Sequence, residues 1–353
     1  MTAATVHLTL LVPELIWPEP GDQLTLGNLA LPGLSWLLAR GQLQRRASEP
    51  FEQVLANRFG LSDAPFGALR LLGEADGELA RDGHWLCADP VHLRFHHERI
   101  VLADAGAFEL AMDEATALVE ALNGEFTDVG RFHAADARRW YLQLNAAVDH
   151  AVEPLSAIAG KRIAADLPGN AAPLTRWLNE VQMFLHNHPL NDKRQAAGHP
   201  AVNSLWLWGA GTLPSVAQTG DAAVWSDNPL AIGLARAAGM PARPRPDGLA
   251  GLLDQARADR QFVVLDQMLP PVLYEDGEAW RQAATELDRQ WFVPLRSALG
   301  RRIKHLTLIA PTIYGCLEWQ FTGAERWKFW RKERPLAAIA SELAQQFAEG
   351  KPA

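Results

Sequence analysis

The chain has 353 residues, 48% of them hydrophobic and 21% charged, a composition that fits a folded protein of one large or two ordinary domains and excludes a disordered one. A formal net charge of −8 argues against a nucleic-acid binder, which would carry a basic excess. Two cysteines, Cys87 and Cys316, exclude a disulfide framework and read as buried thiols.

No apolar run approaches the roughly 20 residues of a transmembrane helix, and the N-terminus lacks the basic region of a signal peptide. The expectation is a cytoplasmic protein with no nucleic-acid and no membrane partner. Residues 7–12 (HLTLLV) form a leucine-rich run stopped by Pro13, the pattern of a buried parallel strand. Residues 31–41 read as a helix opened near Pro32-Gly33 and closed by Gly41. Residues 51–59 read as a second helix stopped by Gly60, and 64–72 as a third closed by Gly73. Ser62, just before the third helix, reads most simply as its N-cap. As a nucleophile at a helix start, it is also the one catalytic candidate.

The texture changes at Trp85. WLCADPVHLRF reads as a strand around Asp89-Pro90, His96 to Arg99 as a polar turn through His97 and Glu98, and 100–103 as the return strand. A helix over 112–122 places Asp113 and Glu114 in its first turn, as the macrodipole prefers. A strand over 139–144, a loop-rich stretch over 151–173 and a helix over 175–186 follow. Elements of this kind without long crossovers imply an inserted α+β domain over 85–201. From Ser204 a βα alternation returns, with strands over 204–208, 222–225, 262–265 and 305–310 and helices over 229–238 and 278–299. The implied core, 1–84 with 202–353, is α/β, with a mostly parallel sheet and helices on both faces. Ligands in such sheets sit beyond the carboxyl ends of the strands, which singles out Pro13-Glu14, 266–276 and 311–315.

The densest polar run is 186–214, HNHPLNDKRQAAGHPAVNSLWLWGAGTLP. Read as a cationic, amide-rich loop feeding a buried strand, it suits an anionic ligand, because the arginine fork matches carboxylate and phosphate oxygens. A solvated loop with incidental histidines is the plain alternative. The ligand-binding candidates are Asn187, His188, Asn191 and Arg194, with His92, Arg94 and Asn203. The tail over 319–334 interleaves Trp319, Trp327, Phe329 and Trp330 with Arg326, Lys328, Arg331, Lys332 and Arg334. It reads as an amphipathic element covering the sheet, or as a surface for an anionic partner. Most of the 13 tryptophans are expected in the core or in a pocket wall.

VWSDNPLAIGLARAAGMPA resembles a strand–helix unit in the metal-binding half of cofactor-independent phosphoglycerate mutases, within the alkaline phosphatase superfamily. FVVL, then Asp276-Gly277 and ATELDRQWFVPL, resemble that half's strand, metal loop and helix. HPLNDKRQAAGHPAVN resembles a loop leading out of the cap domain in the archaeal-type mutases, and LPGLSWLLARG resembles their first helix. The insertion at 85–201 falls where their substrate cap is inserted. WLCADPVHL, NEVQMFLHNHPLN, NSLWLWGAG and KFWRKERPL also resemble bacterial RpfE-type regulatory proteins.

The mutase resemblance implies an alkaline phosphatase-like core whose two metals activate a serine and stabilise phosphoryl charge. The chain departs from that pattern at three strands. The family's Asp-Gly after the first strand is Pro13-Glu14 here. Its D-x-x-x-H positions are Pro271 and Glu275, and its Asp-His after the last strand gives way to Ala310-Pro311. Gly60, Ser62 and Asp63 resemble its P-G-S-D segment, with a longer spacing to Gly73. Three readings follow. The first is a non-catalytic or strongly diverged phosphoglycerate mutase-like protein that needs no cofactor and binds an anionic small molecule or a protein partner. The second is an active mutase or phosphatase whose Mn2+ or Mg2+ is held by replacement ligands, with Asp89, His92, Asp266 and Asp276 as candidates. The third is a regulatory or scaffolding protein recognised through its tryptophan-rich C-terminal segment.

Overall fold

The computed structural model describes residues 5–96, 99–104, 106–148, 152–158, 162–164 and 172–349. The turn expected at His97 and Glu98 lies outside them, as do 165–171 of the loop-rich stretch. The strands in chain order are β1 (Val6–Leu11), β2 (Gln42–Arg46), β3 (His84–His96), β4 (Arg99–Asp104), β5 (Gly130–Ala134), β6 (Trp140–Leu144), β7 (Arg162–Ala164), β8 (Ser204–Gly211), β9 (Ala223–Trp225), β10 (Ala242–Arg243), β11 (Arg260–Val264), β12 (Ile303–Thr312) and β13 (Gly315–Thr322). The chain forms two compact units. The first holds the residues up to Val54, Gln218–Ala231 and everything from Gly239 onward; the second holds Leu55–Ala217 and Ile232–Ala238.

The first unit is built on a seven-stranded sheet in the order β10-β9-β11-β1-β12-β13-β2. It is parallel from β10 through β12 and antiparallel at β13 and β2, the α/β arrangement expected from the alternation. β1 lies between β11 and β12, and Leu8, Leu10 and Leu11 are buried, as an uninterrupted apolar run in a central strand requires. Its side chains meet Trp280, Trp291, Phe292, Leu308 and Trp319 in one core. The helix expected over 278–299 is one helical run in three parts: Gly277–Leu287, a π turn at Asp288–Phe292, and Val293–Ala298. A Cβ on Gly33 would lie 2.3 Å from the Val293 nitrogen, so the start of the helix Pro32–Arg40 touches this run backbone to backbone. The expected tail begins instead as β13, a hairpin partner of β12. The helix Leu336–Ala348 after it went unread.

The second unit is an antiparallel sheet in the order β5-β6-β3-β4-β7, with β8 also paired to β3. β3 pairs with β6 through Cys87 and with β4 from Val91. Pro90 thus falls in the gap between two ladders, where its missing N–H costs little, and Asp89-Pro90 makes no turn. Two expectations are corrected here. β8, assigned to the parallel core, is an antiparallel neighbour of β3, because the LWLW run specifies burial but not direction. The presumed polar loop after His188 is the helix Pro189–Ala196, started by Pro189 at its first position and by the His188 side chain as N-cap. The unit is also wider than the expected insertion of 85–201, since the helix Phe66–Gly73 is buried throughout. A Cβ on Gly67 of that helix would lie 2.5 Å from the Leu86 Cα of β3.

Candidate functional site

In the first unit the chain leaves β1 through Val12, Pro13 and Glu14. The Val12 N–H donates to the Ile309 carbonyl at 2.8 Å and the Glu14 N–H to the Pro311 carbonyl at 2.9 Å. Glu14 holds φ at 56°, in the left-handed region that bulky side chains seldom adopt. Its carbonyl accepts from Trp280 Nε1 at 3.0 Å. Asp266, beyond β11, accepts from Asn228 Nδ2 at 2.8 Å, while Asn228 Oδ1 takes the Leu230 N–H at the start of the next helix. Asp276 is the N-cap of Gly277–Leu287 and accepts the Ala279 N–H at 2.9 Å. Tyr314 is buried and donates its hydroxyl to the Pro18 carbonyl. Burial, then the charges of Glu14 and Glu19, push its pKa up.

These strand ends do not fit the two-metal centre that the mutase resemblance implies. Pro13, Ala310 and Pro311 have no ligating side chain. Asp266 and Asp276 are engaged with an amide and a helix start. Among the described residues no group of three His, Cys, Asp or Glu side chains is arranged to hold a metal ion. Asp89 and His92, the other two candidates, lie in the second unit.

The anion-binding candidates all lie in the second unit, where most of them fasten the chain to itself. Arg194 is 3% exposed. Its Nε donates to the Pro200 carbonyl at 2.9 Å, Nη2 to the Glu109 carbonyl at 2.6 Å and Nη1 to the Glu114 carboxylate. Asn191 is buried as well; it donates to the Leu185 and Val202 carbonyls and accepts the Val202 N–H. Asn203 pairs through both side-chain atoms with the N–H and carbonyl of Leu93. His92 Nδ1 hydrogen-bonds the Ala201 carbonyl at 2.9 Å, and His188 Nδ1 accepts the Leu190 N–H. Asn187 caps the preceding helix through the Met183 carbonyl. Arg94 alone in this set is an exposed cation. Each Arg194 nitrogen is engaged within the chain and the side chain is almost fully buried, so it offers a ligand little access, and most of these residues hold the segment 186–203 together.

Ser62 is exposed. The helix after it starts only at Phe66, with Pro65 in the cap position and no side-chain cap, which corrects the N-cap expectation and also removes Ser62 from the helix start.

The most developed polar cluster was missed in the sequence. Arg70, on the buried helix Phe66–Gly73, grips both Asp89 oxygens, at 2.9 Å from Nη1 and 2.6 Å from Nη2, and donates from Nε to the Tyr141 hydroxyl at 3.0 Å. That hydroxyl donates to Glu74, which also takes Arg139 at 2.6 Å. Trp208 Nε1 donates to Asp89 at 2.8 Å. The guanidinium carbon lies 4.7 Å from the Tyr141 ring centre and 5.2 Å from that of Trp208. Burial works against the Arg70 charge, but Asp89, Cys87 and Tyr141 together outweigh it and hold its pKa well above the ordinary value. Burial likewise pushes Tyr141 far up. The one signal in the sequence was a lone charge inside the apolar helix FGALRLLG. The network is buried and paired within itself, with Asp89 as the counter-ion of Arg70.

The first unit also carries an open cleft of about 710 Å3 that no motif marked. Arg245, Asp247, Gly248, Gln255, Arg289 and Gln290 line it. The loop at 244–248 leaves the carboxyl end of the parallel strand β10, the side on which open α/β sheets take ligands. Arg245 pairs with Asp227 at 3.1 Å, while Arg289 is exposed, 3.9 Å from Glu286.

A mostly parallel sheet with this strand order, joined to a second antiparallel unit, is an α/β architecture of the alkaline phosphatase-like kind. Comparison with known proteins narrows this to one branch. The chain is 36% identical over 124 residues to the 2,3-bisphosphoglycerate-independent phosphoglycerate mutase 2 of Methanothermobacter thermautotrophicus, which is 34% of this chain and 30% of that one. It is 30% identical over 208 residues to the corresponding mutase of Methanosarcina barkeri, covering 55% and 51% of the two chains. Among solved structures, the PH0037 protein of Pyrococcus horikoshii superposes with a TM-score of 0.56 at 14% identity, over 99% of this chain and 97% of that one. No family model matches. The chain is thus similar in sequence to archaeal cofactor-independent phosphoglycerate mutases and has an α/β fold, although it spans about half or less of the length of those it matches.

Proposed function

We propose that this chain is a diverged phosphoglycerate mutase-like protein that binds an anionic small molecule and does not transfer phosphoryl groups through metals. The observation that supports this most directly is Glu14. Its left-handed backbone, φ 56°, is the conformation a glycine adopts freely, and it stands where the mutase resemblance expects the glycine of an Asp-Gly pair. The backbone turn has been kept, while the expected ligating aspartate has become Pro13. The side chains that remain at these strand ends do not form the two-metal ligand set that the resemblance implies, and without metals a serine hydroxyl lacks activation at neutral pH. The anionic ligand is assigned to the cleft beside Arg245 and Arg289, because Arg194 is buried and engaged within its own unit.

Thermal unfolding of the whole chain with 3-phosphoglycerate or inorganic phosphate, each with and without Mn2+, tests this reading. A ligand that binds only the folded state raises the transition. The expected result is stabilisation independent of Mn2+ and weakened by Arg289→Ala. Stabilisation that requires Mn2+, or near-stoichiometric Mn2+ binding alone, would contradict it.

A further inference from the structure

β13 runs into a short 3-10 turn, Gly323–Trp327, closed by a capping box between Thr322 and Glu325. Beyond it the rings do not return to the core. Trp327, Phe329 and Trp330 are 75%, 82% and 65% exposed, although the other 11 of the 13 tryptophans are buried. This corrects the expectation of an amphipathic element covering the sheet, while the expectation that most tryptophans lie in the core holds. Phe329 and Trp330 meet edge to face at 5.3 Å, which keeps both rings standing outward. Of the interleaved cations, Lys328 is held by Glu325 at 3.2 Å and Arg334 by Glu342 at 2.6 Å, and Arg326 reaches the Leu299 carbonyl. Arg331 and Lys332 are exposed. The acid between them and Arg334, Glu333, lies 3.7 Å from Arg40. A chain of net charge −8 therefore presents a locally basic patch here, and it coincides with the largest exposed aromatic cluster among the described residues.

We propose that this patch docks the protein on an anionic lipid surface. Three aromatic side chains bury roughly 450–750 Å2, short of the ~800 Å2 that each partner contributes to a stable protein interface. A lipid surface needs no complementary groove and accepts protruding rings at headgroup depth while neighbouring cations meet the anionic headgroups. A second copy of the chain is disfavoured, because a two-fold contact would set the patch against itself and bring Arg331 and Lys332 near their own copies. Single-stranded nucleic acid is disfavoured because bases stack on ring faces, and the edge-to-face pair offers no continuous platform. No helix among the described residues is long and apolar enough to cross a membrane, so the contact is peripheral.

Flotation of the purified full-length chain with vesicles of phosphatidylcholine alone, or mixed with phosphatidylserine, tests the proposal. The variants are Trp327→Ala/Trp330→Ala and Arg331→Glu/Lys332→Glu, whose exposed sites leave the melting temperature unchanged. The expected result is flotation with the phosphatidylserine vesicles only, reduced by added salt and at least fivefold weaker in both variants, since each cation near such a surface changes binding by about fivefold. The proposal is overturned by absence of flotation or by equal flotation with both vesicle types. Variants that float like the parent also overturn it, as does transfer of the same residue dependence to a dimer, an acidic protein or a single-stranded oligonucleotide.

Discussion

Arg70 and Asp89 form a charge pair with almost no access to water, Asp89 being 1% exposed. Removing one member strands the other, which typically costs about 3–5 kcal/mol. Asp89→Ala is expected to lower the unfolding free energy by that amount in urea titration. Replacing both, as Arg70→Met/Asp89→Leu, is expected to recover most of it. Equal losses in the single and double variants would show that the charge pair is not the source. Asp288 carries a second prediction. Its oxygens accept the Gly33 and Leu34 N–H groups, yet burial outweighs these bonds and raises its pKa. The folded chain therefore holds this proton more tightly than the unfolded chain. Its contribution to stability is greatest below the ordinary aspartate value, falls as pH rises through the raised value, and is level above it. The stability difference between Asp288→Asn and the parent should change across that interval and be constant at higher pH; denaturant titration over an acid pH series measures it. At this scale the sequence shows which residues are unusual but not their partners. Arg70 reaches Asp89 and Tyr141 across 19 and 71 positions, and no local spacing encodes that. Arg194 was conspicuous for the right reason, but a fork that can grip a carboxylate ligand grips backbone carbonyls and Glu114 equally well.

Among the elements, the helix Phe66–Gly73 shows how small residues set packing. The helix Pro229–Ala237 crosses it so closely that a Cβ on Gly233 would lie 1.7 Å from the Leu69 carbonyl oxygen. Arg236 of the crossing helix closes the far end through the Leu72 and Glu74 carbonyls. Gly233→Ala must push the two helices apart and is expected to cost at least ~2 kcal/mol, measured as a lower thermal midpoint. A neutral substitution would show that the crossing can slide. Periodicity made most helices and the central strands legible, because those elements bury one face or both. Three things were not legible. The direction of β8 was hidden, since an apolar run reads the same in a parallel and an antiparallel sheet. β2 and β13 were hidden because the edge strand QLQRR is exposed and charged, as edges that resist aggregation are, and because β13 runs straight into a basic segment. The π turn at Asp288 was hidden because the Gly33 and Leu34 N–H groups that its carboxylate holds lie some 250 positions earlier in the chain.

Across the whole molecule, the alternation of strands and helices from Ser204 onward, together with HLTLLV near the N-terminus, was enough to foresee an α/β fold with a mostly parallel sheet. Burial patterns carry architecture well. They carry chemistry poorly, and the expected anion loop became a clasp once its hydrogen bonds were seen. The central claim is that the fold of a phosphoglycerate mutase relative has been kept while the residues at its strand ends no longer hold two metals. The most direct measurement is interconversion of 3-phosphoglycerate and 2-phosphoglycerate by the purified chain in added Mn2+, with its metal content determined by mass spectrometry on the same sample. The expected result is no turnover above background and no stoichiometric metal. Turnover accompanied by tightly bound metal, and lost on Asp266→Ala or Asp276→Ala, would contradict the claim and show that a new ligand set has replaced the one that is missing.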